Sequence, residues 1–252
     1  MSLPTVALHW PGLPAGVNAL STTRRGGISR PPFDDGAGGG GLNLGTHVGD
    51  DPVAVAHNRA LLRAQLPSEP AWLTQVHGMR VLDASGAIGA PEADASISDR
   101  PGVICTIMTA DCMPVLLADA GGRVVGAAHA GWRGLAAGIL ENTVEAMRKA
   151  GAGQVLAWLG PGIGPSAFEV GDDVRAAFAH LGPQAPAAFH RIEGVAGKYR
   201  ADLPALARLA LARAGVSDVA GGTDCTVSDP ARFYSYRRDR VTGRMASLIW
   251  LS

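Results

Sequence analysis

Thr109-Ala-Asp-Cys-Met-Pro-Val-Leu-Leu-Ala-Asp-Ala-Gly-Gly-Arg-Val-Val-Gly-Ala-Ala-His-Ala-Gly-Trp-Arg-Gly134 reads as a β-hairpin with reactive side chains at its open end. Two apolar runs, 114–118 and 124–128, flank the Gly-rich punctuation Asp119-Ala-Gly-Gly122, the pattern of paired strands. With the turn centred between Ala120 and Gly121, Cys112 faces His129. Directly opposed residues share one sheet face, with Cβ atoms roughly 4.5–5.5 Å apart. A thiolate and an imidazole at that spacing can share one metal ion. A one-residue bulge would undo the pairing, because it moves every side chain to the other face.

Outward from the hairpin, strand and helix signals alternate. Residues 17–22 form an early strand, followed by a loop, Thr23-Arg-Arg-Gly-Gly27. The run Gly36–Gly41 is too flexible to pack and reads as a mobile surface loop. Asp51-Pro52 starts a helix, an acid N-cap with proline at the first position, which runs through Val55, Arg59 and Leu62 to Gln65 and stops at Pro67. Trp72-Leu-Thr-Gln-Val76 predicts a strand that delivers His77 to a turn at Gly78. Residues 102–108 are apolar enough for a strand buried on both faces. After the hairpin, Leu135, Ile139, Leu140, Val144 and Met147 keep helical spacing, with Gly151 as the C-cap. A strand at 155–159, helices at 172–181 and 202–214, and a closing strand at 245–250 follow. This interleaving, with no linker, gives one α/β domain over residues 1–252 with a mixed sheet.

The chain has 252 residues, 47% hydrophobic and 17% charged, enough for a sizeable core. Lys plus Arg equals Asp plus Glu at 22 each, so no electrostatic footprint for nucleic acid or anionic lipid exists. Three cysteines, Cys105, Cys112 and Cys225, are too few and odd for a disulfide framework and suit a reducing compartment. The first ten residues have neither a basic region nor a long apolar one, and no run reaches membrane-spanning length. The expectation is a cytoplasmic protein with no membrane and no nucleic-acid partner; its oligomeric state is left open.

His77, Cys112 and His129 all fall at strand ends beside small or polar residues. Three protein ligands leave a fourth tetrahedral position for substrate, the pattern of a catalytic rather than a structural zinc site. A buried Cys and two satisfied histidines are the plain alternative. Asp111 and Arg133 adjoin two of the ligands and could orient an imidazole or a substrate anion, or form a surface ion pair. Gly160-Pro-Gly-Ile-Gly-Pro165 has the look of a phosphate cradle, but its two prolines remove amide donors, so it reads as a rigid turn. The Arg residues after Tyr234 could hold phosphate, or form a charged turn. His47, after the Gly-rich loop, could act as a general base.

Taken together, Thr74-Gln-Val-His-Gly78, Thr109-Ala-Asp-Cys112, Ala128-His-Ala-Gly-Trp-Arg-Gly134, Gly160-Pro-Gly-Ile-Gly-Pro165 and Thr242-Gly-Arg-Met-Ala-Ser247 resemble the YfiH family. That family is also called laccase-domain, polyphenol-oxidase-like or peptidoglycan-editing-factor. Further blocks at Thr23-Arg24, Asn43-Leu-Gly-Thr-His47 and Phe233-Tyr-Ser-Tyr-Arg-Arg-Asp239 extend the resemblance over nearly the whole chain. The glycine run Gly36–Gly41 departs from it. The resemblance implies a layered α/β/β/α fold with mixed sheets. It implies metal ligation by His77, Cys112 and His129, usually of zinc. The implied activity is phosphate-dependent cleavage of adenosine, inosine, guanosine and methylthioadenosine, with adenosine deamination beside it. In that frame Cys112, Asp111, His47 and Arg133 are the catalytic candidates. Arg24, Asn43 and Arg238 are the substrate-binding ones, and Arg24, Arg133 and Arg238 the candidates to hold phosphate.

Three other readings compete. Two His and one Cys are also a copper ligand set, but a multicopper oxidase needs many imidazoles and the chain has only seven His. An open zinc site also suits an amide hydrolase editing cell-wall precursors. A zinc-stabilised binding module would unfold on chelation, which a three-ligand catalytic site would not.

Overall fold

The computed structural model describes residues 3–252. In chain order the elements are β1 (Val17–Ser21), β2 (Arg25–Ser29), α1 (Pro52–Arg63), β3 (Val81–Asp83), β4 (Ala95–Ser98), β5 (Cys105–Thr109), β6 (Met113–Asp119), β7 (Val125–Ala130), α2 (Trp132–Ala137) and α3 (Ile139–Lys149). Then come β8 (Val155–Leu159), β9 (Glu169–Gly171), α4 (Asp172–Ala177), β10 (Phe189–Arg191), β11 (Lys198–Ala201), α5 (Leu203–Arg213), β12 (Val219–Gly221), α6 (Tyr236–Asp239) and β13 (Met245–Leu251). They build a mixed six-stranded sheet, β12-β8-β6-β7-β4-β3, and an antiparallel three-stranded sheet, β1-β13-β5. A small antiparallel sheet, β10-β11-β9, completes the molecule.

Period-two alternation within the strands stacks these sheets. In β6, Val115 and Leu117 face the helices α3 and α5, whereas Leu116 and Ala118 face the other sheet. In β13, Met245 and Ile249 meet Leu116 and Leu156 between the sheets, whereas Ala246 and Leu248 pack on Leu62 of α1. The result is helix, sheet, sheet, helix: the α/β/β/α layering, with three apolar interfaces. Each fully buried Leu, Ile or Val there contributes about 1.5–3 kcal/mol. An exposed pair such as Glu145–Lys149 adds about 0–1 kcal/mol, so burial decides the fold.

Several elements differ from the sequence reading. The hairpin pairs Pro114, not Cys112, with His129. Its loop is four residues long: the Asp119 amide donates to the Val124 carbonyl, and the Asp119 carboxylate accepts from the Arg123 and Gly153 amides. The shift of two residues leaves Cys112 on the same face. Residues 25–27, expected in a loop, begin β2. Residues 72–76 are not a strand. They are held by an isolated bridge from Thr74 to Glu92 and by Gln75, whose side chain donates to the Met108 carbonyl and accepts from the Met108 amide, both at 2.8 Å. The single helix expected after the hairpin is two, α2 and α3, broken at Gly138, whose φ of 103° lies in the left-handed region. Helix α1 ends at Arg63 rather than Gln65, and α4 ends at Ala177 with a 3₁₀ turn, Ala179–Leu181, completing the expected helix. The glycine run is not free. Asp35 accepts from the Ala37 and Gly39 amides, and a side chain on Gly41 would strike the Phe33 carbonyl and the Tyr234 hydroxyl.

Candidate active site

The chain leaves the three-stranded sheet at Thr109 and enters the six-stranded one at Met113. In between lies Asp111, with a φ of 98°, a conformation that disfavours a side-chain-bearing residue. Three bonds hold it: its carboxylate accepts from the Thr226 hydroxyl and the Arg237 amide, each at 2.6 Å, and its carbonyl from the Ile163 amide at 2.8 Å. This bend points Cys112 into a cleft of about 850 Å³ at the end of the two sheets. His129, at the end of β7, and His77, in the turn after the extended segment, reach the same place.

The ligand atoms of His77, Cys112 and His129 lie within 4.8 Å of one another, and Cys112 Sγ is 3.7 Å from His77 Nε2. Among the described residues, no other group of three or more His, Cys, Asp or Glu side chains comes close enough to share an ion. One Cys and two His suit zinc or copper. Gly131 makes room for the cluster, since a Cβ there would stand 2.9 Å from Cys112 Sγ and 3.0 Å from His77 Cδ2.

Behind the cluster stands Asp94, fully buried, which the sequence reading missed. Its Oδ1 is 2.8 Å from His129 Nδ1, leaving Nε2 for the cleft. Its carboxylate also accepts from the amides of Val76, His77 and Gly78, which fixes the turn carrying His77 at a φ of 61°. A carboxylate behind a ligating imidazole is the usual support of a metal site. No local motif marks Asp94; only its place before β4 brings it here.

Charges follow from this packing. Burial would raise the Cys112 thiol, but His129 and His77 outweigh it and bring it down to about 6. Burial would likewise keep His129 neutral, yet Cys112 and then Asp94 hold it up at about 9. Burial raises the Asp94 carboxyl, and the bonds from His129 and the Gly78 and Val76 amides more than offset it, leaving it below the ordinary carboxylate range. The protein groups by themselves thus favour thiolate and imidazolium, and a cation that replaces the imidazolium proton meets a sulfur already charged.

His47 and Arg133 both line the cleft. Burial, then Arg244 and Arg59, lower His47 below its ordinary 6.5, so it is neutral at pH 7 and free to accept a proton. Arg133 is exposed, with its guanidinium 4.6 Å over the Trp132 ring. Asp111 also lines the cleft, each carboxylate oxygen accepting one bond, and its bend presents Cys112.

The three expected substrate-binding residues are not in the cleft wall. Arg24 is buried and donates to the Asp34 and Pro230 carbonyls. Asn43 is buried and ties Asp50, Gly45 and the Arg244 amide. Arg238 donates to the carbonyls of Thr226, Val227 and Phe233 and pairs with Asp239. Each is spent on holding loops. The Gly160–Pro165 segment is the rigid turn expected, its amides given to Pro114, Asp224, Asp111 and Cys225. Arg59 and Arg244, which the sequence reading did not single out as site residues, do line the cleft. Arg244 lies within the Thr242–Ser247 block, so a signal for it was present.

Comparison with known proteins leads to one family, carried under two functional descriptions. Residues 18–252 match the family model described as multi-copper polyphenol oxidoreductase laccase. The chain is 53% identical to a purine nucleoside phosphorylase of Pseudomonas aeruginosa over 96% of each chain. It is 51% identical to the purine nucleoside phosphorylase YfiH of Escherichia coli, covering 96% of this chain and 97% of that one. A crystal structure of a Neisseria meningitidis protein superposes with a TM-score of 0.89 at 49% identity over the whole of both chains. One of a Bacillus licheniformis hypothetical protein YfiH gives 0.85 at 33% identity, over 94% and 93% of the two chains.

Proposed function

Since the chain belongs to the YfiH, or laccase-domain, family, we propose that it is a zinc-dependent purine nucleoside phosphorylase. The observation that carries this reading is the His77, Cys112 and His129 cluster, opening on a cleft large enough for a nucleoside and lined by Arg59, Arg133, Arg237 and Arg244. The reaction joins a phosphate oxygen to C1′ of the ribose as the C1′–N9 bond breaks, with the bonding pair leaving on the purine. The proton lost by HPO₄²⁻ is the one the purine gains, so the balance needs no further reactant.

When bound, a zinc ion supplies Lewis-acid charge to a substrate atom. The other work falls to side chains. Asp94 keeps the His129 ring turned so that Nε2 faces the cleft. Asp111 sets the bend that presents Cys112. His47, neutral at pH 7, takes and returns the proton that passes from phosphate to purine. Trp132 and Tyr236 bring partly exposed rings to the cleft, faces on which a purine can stack. The exposed Arg133 guanidinium is a further donor at the mouth.

Adenosine, inosine, guanosine and methylthioadenosine are the substrates we assign, with adenosine deamination as a second reaction of the cleft. Zinc is preferred to copper because a multicopper centre needs several imidazoles, and one cluster with two is what the described residues offer. The test is incubation of the purified protein with each nucleoside, with and without phosphate. Free purine and ribose 1-phosphate should appear only with phosphate, and inosine and ammonia from adenosine without it. Absence of purine release, or release indifferent to phosphate, overturns the phosphorylase reading.

A further inference from the structure

We propose that Arg59 and Arg244, both held on the Asn43–His47 segment, form the subsite that binds inorganic phosphate as the nucleophile. The proposal rests on the phosphorylase reading and names the residues it needs. A single short segment organises the group. Arg59 Nε donates to the Leu44 carbonyl at 2.9 Å, and its guanidinium lies 3.9 Å over the Trp72 ring. The Arg244 amide donates to Asn43 Oδ1 at 2.9 Å, and its side chain crosses Gly45 so closely that a Cβ there would stand 2.8 Å from Arg244 Cγ. His47 ends the segment, and all three side chains line the cleft.

Neither guanidinium has a carboxylate partner among the described residues, although both are half-buried. Arg244 Nη1 donates to the Thr242 and Gly243 carbonyls, and no bond to its Nε or Nη2 is made among the described residues. Arg59 keeps donors free beyond those turned to Leu44 and the Met108 sulfur. Two half-buried charges with no carboxylate in ion-pair contact, Glu69 acting on Arg59 and Cys112 and Asp111 on Arg244 only at longer range, keep unspent planar donors for an oxyanion that arrives from outside. Burial lowers both groups, and they in turn help hold His47 neutral, which suits a side chain that must take the phosphate proton. The other arginines of the cleft fit less well. Arg237 spends Nη1 on the Glu169 carbonyl and lies over Phe168, while Arg133 is exposed to solvent.

The experiment measures separate KM values for inorganic phosphate and for inosine in Arg59→Met, Arg244→Met, Arg244→Lys and Gly45→Ala, alongside zinc content and Tm. Each Met variant should raise the phosphate KM at least about tenfold while moving the inosine KM less than about threefold. Arg244→Lys, which keeps the charge but not the fork, should fall between, and still reports if the Met variant fails to fold. Gly45→Ala, which keeps both arginines but displaces one, should raise the phosphate KM as well. An unchanged phosphate KM, or equal rises in both KM values, overturns the proposal. So does a loss confined to a nucleoside 5′-monophosphate, which would assign the arginines to a phosphate carried by the substrate. Should the wild-type protein release no purine, the phosphorylase reading falls separately. The subsite is then judged on Tm alone: inorganic phosphate should raise the Tm of the wild-type protein and not of the Met variants.

Discussion

Asp94 shows how much one residue can settle at this site. A single carboxylate, with no access to solvent, fixes both imidazoles: one by a direct bond to Nδ1, the other by accepting three consecutive amides of its turn. Replacing it by Asn puts an amide where several donors already point. Asp94→Asn should weaken zinc about 10- to 100-fold, measured by chelator competition, and lower stability by about 1–3 kcal/mol in urea titration. Unchanged zinc affinity would remove Asp94 from the site. This residue was not legible in the sequence, because a buried carboxylate acquires its meaning only from the segments folded around it. The cluster was legible: His77, Cys112 and His129, which the fold brings together, combine residue types able to bind a soft cation with positions at element ends. Arg24, Asn43 and Arg238 carried the same kind of local signal, and the fold spends them on loops instead. Arginine is equally good at binding carbonyls inside a protein and anions outside it, and spacing does not tell the two apart.

Among the elements, the clearest sequence features were those whose stability is local. Asp51-Pro52 capped α1 as expected, with the Asp51 side chain accepting from the Val53 amide. The apolar runs of β6 and β7 paired as a hairpin, but the register followed the Asp119 carboxylate, which holds Arg123 in a four-residue loop and ties the Gly153 amide from the α3–β8 connection. Residues 72–76 have the composition of a strand, yet they make only one isolated bridge, Thr74 to Glu92, and the Gln75 side chain reaches from within the segment to β5, which no periodicity reveals. The break between α2 and α3 was hidden because Leu135 and Ile139 keep helical spacing across Gly138. That glycine has a left-handed φ of 103° and no crowding: a Cβ added there would meet nothing nearer than Glu141 Oε2 at 3.8 Å. Gly138→Ala should therefore cost about 1–2 kcal/mol from backbone strain alone, read as a lower urea midpoint with unchanged m. A neutral or stabilising result would mean the two helices can merge into the one that the spacing predicted.

At the scale of the molecule, the candidate site lies at the end of a sandwich whose three apolar interfaces reach its wall at Phe168, Leu73 and Trp72 but draw most of their residues from outside it. Chelation of zinc should abolish nucleoside cleavage and leave the far-ultraviolet circular dichroism unchanged, with Tm falling only by the amount that ligand release allows. Global unfolding on chelation would instead make the cation a structural clamp and return the binding-module reading. The α/β class with a mixed sheet was legible in the alternation of elements. The α/β/β/α layering came only with the family resemblance, because β5 and β6 are neighbours in sequence and nothing in their apolar runs says that they part company at Asp111. That parting has a mechanical side. Cys112 stands where the chain steps from one sheet to the other, His129 belongs to the second, and His77 is tethered to both through Gln75 and Asp94. The three side chains are thereby a gauge of how far apart the two halves of the sandwich stand. An oversized side chain at Leu116 or Ile249 that wedges them open should therefore weaken the proposed zinc site, read by chelator competition, before the helical circular dichroism changes.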